Sequence, residues 1–364
     1  MHITLIISSL TSGGAERVLS GLANHLVSKG HLVSLITLAP PDSQPFYFLN
    51  PQINLVQINQ ISFEFSIIKR LRNIFRRVVC LRKTIKNLNP NVIISFVDIT
   101  NITTLISSIG LKIPIIISER IDPNFHKIAK FYKWLRLKFY PFSSKLIVQT
   151  NSVAEYFPQN FKKLIKIIPN PVAIPKYKKN IYSEKITSII TVGRLVKQKD
   201  HNILINVFAK LSVNYPDLTL TIYGEGAERQ NLENLIASLN LQEKVKLPGA
   251  IKNIQEALIK ADLFIFPSRY EGFPNALCEA MAVGLPVIAS NCSGNIDIIR
   301  DGIDGLLFSV GDIELLTKIT VELLNGSDKC KYLAENAKQI CNRFHPDNIF
   351  ALWEQLVVDI VNSY

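Results

Sequence analysis

Residues 263–281 read LFIFPSRYEGFPNALCEAM and carry the clearest structural pattern in the chain. The four leading apolar residues predict a buried strand, and the loop after them leads into a helix that begins near residue 274 or 275. The free amides and positive dipole end of such a helix suit a phosphate. Glu271 before the helix and Glu279 inside it would repel phosphate, so we expect both to accept hydrogen bonds from sugar or ribose hydroxyls. Taken alone, each glutamate is also compatible with an ordinary solvated charge.

A second strand end lies upstream, in the sequence TVGRLVKQKDH of residues 191–201. A strand ending at Gly193 places Arg194 and Lys199 before the next helix, where two cations can hold a diphosphate and stabilise its charge as it leaves. The alternative for each cation, taken alone, is a solvated loop charge. No Asp-x-Asp motif or His/Asp cluster offers ligands for a divalent cation, so we expect no metal and no cofactor. The turn at Gly224, in the sequence YGEG, is a weaker signal.

Short apolar runs alternate with amphipathic segments along both halves of the chain. They are rich in Val and Ile without clean polar alternation, which predicts an α/β fold with a doubly wound parallel sheet in each half. A proline-punctuated segment at residues 168–179 marks the boundary. We predict Rossmann-like domains over residues 1–175 and 176–345, facing each other across a cleft, and a C-terminal helix over 346–364 that packs on the first domain. The predicted strands are Ile3–Ser9, Leu32–Leu38, Val92–Phe96, Ile113–Ser118, Lys145–Gln149, Ser188–Val192, Leu218–Tyr223, Lys244–Leu247, Leu263–Pro267, Pro286–Ala289 and Gly305–Phe308.

The net charge of +12 is unevenly distributed. Residues 1–180 carry 24 Lys and Arg against 7 Asp and Glu, whereas residues 181–364 carry 17 against 22. The basic first half suggests an anionic partner, such as acidic lipid headgroups, a lipid phosphate or nucleic acid. The alternative is a merely solubilising surface charge.

The cysteines and the N-terminus indicate the compartment. Five scattered cysteines without CxxC spacing argue against a disulfide framework or a zinc site, and for a reducing environment. The N-terminal run has no early basic cluster and is typical of a buried strand rather than a signal peptide. No apolar stretch reaches the roughly 18 residues of a membrane span. We therefore expect a cytoplasmic protein.

Residues 67–88 read IIKRLRNIFRRVVCLRKTIKNL and predict a basic amphipathic helix. Phe75 lies on its apolar face, next to a stripe of cations. This stripe fits an anionic membrane face or a row of sites for an acceptor's phosphates, the alternative being a core-facing helix with a solvated basic back. A second basic and aromatic segment, residues 127–142, is another candidate for membrane contact. The cations of the stripe are Lys69, Arg72, Arg76, Lys83 and Lys86.

The first half also contains a strand-turn-helix entry, LTSGGAER at residues 10–17. Gly13 and Gly14 would let a ligand approach the backbone at the helix N-terminus, with Arg17 nearby. A dinucleotide site is the competing interpretation, and it fails because the G-x-G-x-x-G fingerprint is absent. Arg120, in the sequence ISERIDP after another predicted strand, is a candidate for phosphate or acceptor contact.

The motifs VGRL, QK, YGEG, EGFPNALCE and GLPVIAS resemble, in order and spacing, those of the GT-B glycosyltransferases of family 4. The resemblance covers nearly the whole second half and implies metal-independent transfer with retention of anomeric configuration. It implies that Arg194 and Lys199 bind the donor diphosphate, that Glu271 faces the transferred sugar and that Glu279 binds the ribose. Asp200 stands where the family usually has glycine, which predicts an altered turn without loss of the site. The other residues of the predicted donor site are Gly14, Gly224, Gly272, Phe273, Pro274, Asn275, Ala276 and Leu277.

The first half is similar to a bacterial branch of the same family that builds lipid-linked oligosaccharides and O-antigens. The strings SGGAER and ISERIDP carry this similarity, and the basic helix resembles one that binds the acceptor's pyrophosphate in transferases acting on undecaprenyl-diphosphate-linked glycans. The resemblance makes the first domain acceptor-binding and the second nucleotide-sugar-binding. It predicts a UDP-HexNAc donor such as UDP-GalNAc, a polyprenyl-diphosphate-linked glycan acceptor, and peripheral attachment to the anionic inner face of the cell membrane. The acceptor or phosphate candidates are Gly13, Arg17, Lys69, Arg72, Arg76 and Arg120.

Three alternatives remain beside this hypothesis. A sugar-nucleotide epimerase of the same architecture would use a similar donor site, and a family 4 transferase with a soluble acceptor would need no membrane. A nucleic-acid-binding module is disfavoured, because no recognised motif is present and the cationic stripe lacks an aromatic stacking platform.

Overall fold

The computed structural model describes residues 1–59, 67–125, 128–179, 185–251 and 253–364, without the side chains of residues 67–71. The described chain forms two compact units. The first comprises Met1–Pro171 and Asp347–Tyr364, and the second comprises Val172–Pro346.

The first unit contains a seven-stranded sheet in which neighbouring strands run parallel. Its strands are β1 (His2–Ile7), β2 (Leu32–Thr37), β3 (Asn54–Gln57), β4 (Val92–Phe96), β5 (Ile115–Ser118), β6 (Lys145–Val148) and β7 (Ile165–Ile167). Their spatial order is β3-β2-β1-β4-β5-β6-β7. The helices are α1 (Gly14–Ser28), α2 (Ile67–Leu88), α3 (Asp98–Ser107), α4 (Lys130–Phe139) and α5 (Asn151–Glu155).

The second unit contains a six-stranded parallel sheet. Its strands are β8 (Ser188–Val192), β9 (Thr219–Tyr223), β10 (Val245–Gly249), β11 (Leu263–Phe266), β12 (Val287–Ser290) and β13 (Leu306–Phe308), in the spatial order β10-β9-β8-β11-β12-β13. Its helices are α6 (His201–Asn214), α7 (Arg229–Ser238), α8 (Ile254–Lys260), α9 (Asn275–Val283), α10 (Ser293–Ile296), α11 (Ile313–Leu324), α12 (Ser327–Ala337) and α13 (Ile340–Arg343).

The predicted α/β class with two doubly wound parallel sheets is confirmed. The central strands β4, β5 and β11 are buried along their whole length, as their unbroken apolar runs require. Sequence reasoning missed β3 and β7. Both lie at edges of the first sheet and are only partly buried, so neither has a run of large apolar residues.

In each sheet the chain reverses its direction of travel once. The reversal lies between β1 and β4 in the first unit and between β8 and β11 in the second. Ligands of doubly wound sheets bind at the carboxyl ends of the strands flanking such a reversal. This rule points to the loops after these four strands.

The final helix, α14 (Pro346–Ser363), packs within the first unit through buried apolar residues. The Trp353 ring lies 5.6 Å from the ring of Phe96 at the end of β4. Glu354 lies 3.2 Å from His25 and 3.4 Å from His31, at the C-terminal end of α1 and just beyond it. The first unit is therefore assembled from both ends of the chain.

Candidate functional site

Two predicted site residues of the second unit meet at the reversal between β8 and β11. Lys199 Nζ lies 2.5 Å from Glu271 Oε1 and 4.6 Å from the ring centroid of Phe266, the last residue of β11. Both side chains are largely buried, at 13% and 7% exposure. The loops after the two strands thus bring an ammonium and a carboxylate together, and each neutralises the other.

Arg194 lies on the same loop but differs from Lys199 in its surroundings. The residue is exposed, and its guanidinium forms no hydrogen bond or ion pair with any residue that the structure describes. Its carbonyl accepts hydrogen bonds from Val196 N at 2.9 Å and His201 Nε2 at 3.3 Å. Its backbone is therefore fixed while its charge faces solvent, as an anion-binding side chain requires.

Gly224 has a packing role in the structure. It adopts φ 150°, and a Cβ there would overlap the carbonyl of Gly193. Gly193 N donates to Tyr223 O at 2.9 Å, and Leu195 N donates to Glu225 O at 2.9 Å. The glycine in the YGEG sequence thus allows the loop after β9 to support the loop that carries Arg194.

Asp200 joins the loop of Lys199 to that of Glu271. Arg269 Nε lies 2.9 Å from Asp200 Oδ2, and Arg269 Nη2 lies 3.3 Å from Oδ1. Gln198 Nε2 also donates to Tyr270 O at 2.9 Å. The φ of 50° at Asp200 is left-handed, a backbone conformation that suits glycine and that an aspartate can also adopt. Sequence reasoning missed the role of Arg269, since an arginine in a loop carries no signal by itself.

The helix α9 follows the loop of Glu271, as predicted, with Pro274 at its N-cap. Phe273 and Leu277 are buried in the apolar core of the second unit, so a ligand would meet at most their backbone. Gly272, Asn275 and Ala276 are half-buried near the same end of the helix, and Glu279 is half-buried at its middle.

The short helix α10 supports the loop of Glu271 and was not predicted. Ser293 Oγ donates to Glu271 O at 3.3 Å. A Cβ at Gly294 would come within 2.7 Å of the same carbonyl, so glycine allows this close packing. The Ser-Gly pair soon after the GLPVIAS motif was the only available signal.

His201, the first residue of α6, is buried behind Arg194. Burial lowers the pKa of its imidazole to about 4, so the ring is neutral and donates through Nε2 to Arg194 O. This contact fixes the backbone from which the Arg194 side chain projects.

In the first unit, the strand-turn-helix entry predicted at residues 10–17 is present, with Gly13 as the N-cap of α1 and Gly14 as its first residue. The Glu16 carboxylate folds over Gly13 so closely that any side chain at position 13 would overlap it. Burial raises the pKa of this carboxyl. An anion that approaches the glycine turn would therefore meet the Glu16 carboxyl group beside Gly13. Arg17, in the same turn, is half-buried.

Arg120 follows β5 and is buried, with 8% exposure. Its guanidinium lies 4.3 Å from the ring centroid of Phe96. Of the phosphate and acceptor candidates whose side chains the structure describes, it is the one that is buried.

The predicted basic helix is present as α2, from Ile67 to Leu88. Arg72 and Arg76 are exposed, whereas the side chain of Lys69 lies outside the described residues. Phe75 is 69% exposed although it belongs to the apolar face. Farther along, Leu81 and Ile85 are fully buried, so the second half of the helix anchors α2 in the unit.

A second exposed apolar surface lies on α4. Phe131 and Trp134 are 54% and 53% exposed, and their rings stack with centroids 6.3 Å apart. Lys138 Nζ lies 4.9 Å from the Trp134 ring centroid. This mixture of aromatic rings and cations is typical of surfaces that contact lipid headgroups.

The described residues contain no group of three or more His, Cys, Asp or Glu side chains arranged to hold a metal ion. Among the helices that the structure describes, none has the length and apolar character needed to cross a membrane.

Comparison with known proteins assigns a family to both units. Residues 12–174 match the family described as Glycosyltransferase Family 4, and residues 175–340 match Glycosyl transferases group 1. The chain is 33% identical over 366 residues to the GalNAc-α-(1→4)-GalNAc-α-(1→3)-diNAcBac-PP-undecaprenol α-1,4-N-acetyl-D-galactosaminyltransferase of Campylobacter jejuni, covering 100% of both chains.

Solved structures agree on the fold. The sucrose-phosphate synthase of Thermosynechococcus elongatus superposes with a TM-score of 0.87 at 18% identity, covering 100% of both chains. The Anabaena protein HepE in complex with UDP gives a TM-score of 0.80 at 20% identity, again over 100% of both chains.

Proposed function

This chain belongs to family 4 of the GT-B glycosyltransferases, and from that premise we propose that it transfers an N-acetylhexosamine, such as GalNAc, from a UDP-sugar to a polyprenyl-diphosphate-linked glycan with retention of configuration. The full-length relative from Campylobacter jejuni, named for GalNAc transfer to an undecaprenol-linked glycan, supports this donor and acceptor class. We further propose that the enzyme works at the anionic inner face of the cell membrane.

The contact between Lys199 and Glu271 at the sheet reversal carries the proposal for the donor site. The donor diphosphate binds Arg194 and Lys199, the transferred sugar lies against Glu271, and Glu279 accepts a hydrogen bond from the ribose. Lys199 then shares its protons between Glu271 and the phosphate. Because one ammonium group then contacts both the residue that faces the sugar and the leaving group, the position of the sugar and the charge on the leaving group influence each other.

The reaction needs little covalent chemistry from the protein. The bond between the anomeric carbon and the diphosphate oxygen breaks, and the acceptor hydroxyl forms its new bond on the same face of the sugar. The departing diphosphate oxygen accepts the hydroxyl proton. Arg194 and Lys199 stabilise the negative charge that develops on the leaving group.

For the acceptor, the exposed cations Arg72 and Arg76 on α2 are proposed to bind lipid-linked phosphate or acidic headgroups. The exposed aromatic residues Phe75 on α2 and Trp134 on α4 would enter the headgroup region beside them.

A substrate panel tests the proposal. The protein is incubated with UDP-GalNAc, UDP-GlcNAc, UDP-glucose or UDP-galactose and a short polyprenyl-diphosphate-linked glycan, and products are identified by mass spectrometry. We expect one added HexNAc mass per transfer, and UDP release that depends on the acceptor. Interconversion of UDP-sugars without acceptor would instead indicate an epimerase. Equal rates of transfer to a lipid-free glycan would show that the enzyme does not require a lipid-linked acceptor.

A further inference from the structure

The Arg120 guanidinium is buried without a hydrogen-bonding partner. Among the described residues, Nε, Nη1 and Nη2 make no hydrogen bond. Burial lowers the pKa of this group to about 9. An uncompensated buried charge destabilises a folded protein, and nearly all buried polar groups in folded proteins have a partner. The unit therefore retains Arg120 at a cost to its own stability.

Three other buried charges near this sheet edge, those of Asp98, Glu119 and Arg136, are paired with one another, and the buried Asp122 carboxylate accepts a hydrogen bond from Asn124 N at 2.9 Å. Arg136 Nη2 lies 3.2 Å from Asp98 Oδ2, and Arg136 Nε lies 3.3 Å from Glu119 Oε1. Tyr140 Oη donates to Glu119 Oε1 at 2.5 Å. The carboxylates of Asp98 and Glu119 are thus bound by Arg136 and Tyr140, and neither forms an ion pair with Arg120.

Arg120 lies against the Phe96 ring, and Phe96 in turn contacts Trp353. Its guanidinium lies 4.3 Å from the Phe96 ring centroid, and the Trp353 ring lies 5.6 Å from Phe96 at an interplanar angle of 36°. Phe96 and Trp353 are fully buried. A desolvated cation over an aromatic face is attracted to the ring, which offsets part of the burial cost without hydrogen bonds. The five N–H donors therefore have no partner among the described residues, although the three nitrogen atoms that carry them are shielded from solvent.

Backbone strain marks the same place. Val97, the residue between β4 and α3, has a φ of 74°, a conformation that a β-branched residue rarely adopts. Its N–H donates to Ser118 O at 3.0 Å, and Asn101 Nδ2 donates to the same carbonyl at 2.9 Å. These bonds join the end of β4 to the segment leading to Arg120. Strain of this kind concentrates at binding and catalytic sites.

We propose that Arg120 binds the diphosphate group of a substrate, and that Phe96 and Trp353 are positioning residues that hold its guanidinium for that ligand. A diphosphate ester fits because the planar guanidinium binds phosphate oxygens in pairs. The lipid-linked acceptor and the nucleotide donor both contain this group, and the choice between them rests on the proposed function. Through Trp353, the helix α14 becomes part of the site.

Tryptophan fluorescence gives a direct test, because the chain has two tryptophans and Trp134 is the exposed one. In full-length protein carrying Trp134→Phe, emission comes from Trp353. Inorganic pyrophosphate is titrated in the presence of saturating UDP, which occupies the donor site of the second unit. We expect a saturable change in emission, and geranyl diphosphate should compete with pyrophosphate if the ligand is the lipid. If UDP alone changes the Trp353 emission and pyrophosphate then has no further effect, Arg120 binds the diphosphate of the donor.

Substitutions separate binding from packing. Arg120→Gln should weaken pyrophosphate binding, measured by calorimetry, by about tenfold or more, while thermal stability stays equal or rises because a buried charge is removed. Arg120→Lys keeps the charge but not the paired donors, and should restore binding only partly. Trp353→Leu should weaken pyrophosphate binding severalfold with UDP binding unchanged, and Trp353→Phe should restore it.

The outcomes separate this inference from the proposed function. Unchanged pyrophosphate affinity in Arg120→Gln, or a loss of stability in that variant without a loss of binding, would overturn the inference and leave sugar transfer standing. Pyrophosphate binding that depends on Arg120 in a protein that transfers no sugar would support the inference and remove the proposed function.

Discussion

At the residue scale, the candidate donor site depends on which charges are already paired. Lys199 is held against Glu271, whereas Arg194 projects from a backbone fixed by His201. The two cations therefore differ in how much each must rearrange when a diphosphate binds. Arg194 can bind the diphosphate without losing a partner, whereas Lys199 must divide its hydrogen bonds between the diphosphate and Glu271.

Replacement of either cation tests the leaving-group role. We expect Arg194→Ala and Lys199→Ala each to lower kcat by on the order of 10²–10³, because one donor to the developing charge is lost. Steady-state release of UDP in the presence of acceptor measures this. Lys197→Ala is the matched control, since Lys197 is exposed on the same turn. Near-normal turnover of both variants would contradict the assignment.

Asp200 allows backbone strain to be separated from side-chain contact. Asp200→Gly keeps the left-handed conformation without steric cost but loses the carboxylate that binds Arg269. Asp200→Ala loses both the carboxylate and the conformational tolerance, so we expect urea unfolding to show it about 1 kcal/mol less stable than the glycine variant. Both variants should have a lower kcat than the wild type, since the loops of Lys199 and Glu271 lose one connection. Equal stability of the two would argue against a left-handed residue here.

At the element scale, the helix α2 has two distinct halves. Its second half is anchored by Leu81 and Ile85, and Arg82 Nη1 donates to the carbonyl of Ser107, the last residue of α3, at 2.8 Å. Its first half exposes Arg72, Arg76 and Phe75. One helix therefore combines a structural role with a surface suited to an anionic membrane.

Charge reversal on α2 tests that surface. The double variant Arg72→Glu/Arg76→Glu should bind vesicles containing phosphatidylglycerol at least about tenfold more weakly in a flotation assay, because each cation near an anionic bilayer contributes about 1 kcal/mol. Raising the salt concentration should weaken wild-type binding in the same assay. Lys162→Glu/Lys163→Glu, two exposed lysines outside α2, is the charge-matched control. If control and test variants lose binding equally, the interaction is a general charge effect.

At the scale of the whole molecule, the first unit is completed by the last residues of the chain. The helix α14 adds buried side chains to it, among them Ile349, Trp353 and Val357. The final segment of the chain is therefore part of the first unit's core, although the whole second unit precedes it in sequence.

Deletion of residues 347–364 should destabilise the first unit selectively. Each large buried apolar side chain contributes roughly 1.5–3 kcal/mol, and several such losses approach the 5–15 kcal/mol that stabilises a typical domain. Hydrogen exchange followed by mass spectrometry should show lost protection in β1 and β4 with β8 and β11 unchanged. Deletion of residues 362–364, which are exposed, is the control. Full protection of β1 and β4 after the longer deletion would contradict this prediction.

The sequence by itself determined the fold class, most strands and the family. The bounds of β4, β8 and α2 were predicted to the residue, since apolar periodicity is a local property that burial on a strand or helix imposes. The same local patterns placed Arg194, Lys199 and Glu271 at strand ends.

Only the tertiary structure decided which of these residues meet. Lys199 and Glu271 are 72 residues apart, and Asp200 and Arg269 are 69 apart. Their contacts follow from the neighbouring positions of β8 and β11 in the sheet, which no local pattern encodes. The burial of Arg120 without a partner depends in the same way on the packing of β4, β5 and α14. Charges that look alike along the sequence become paired, exposed or isolated according to what distant segments bring beside them.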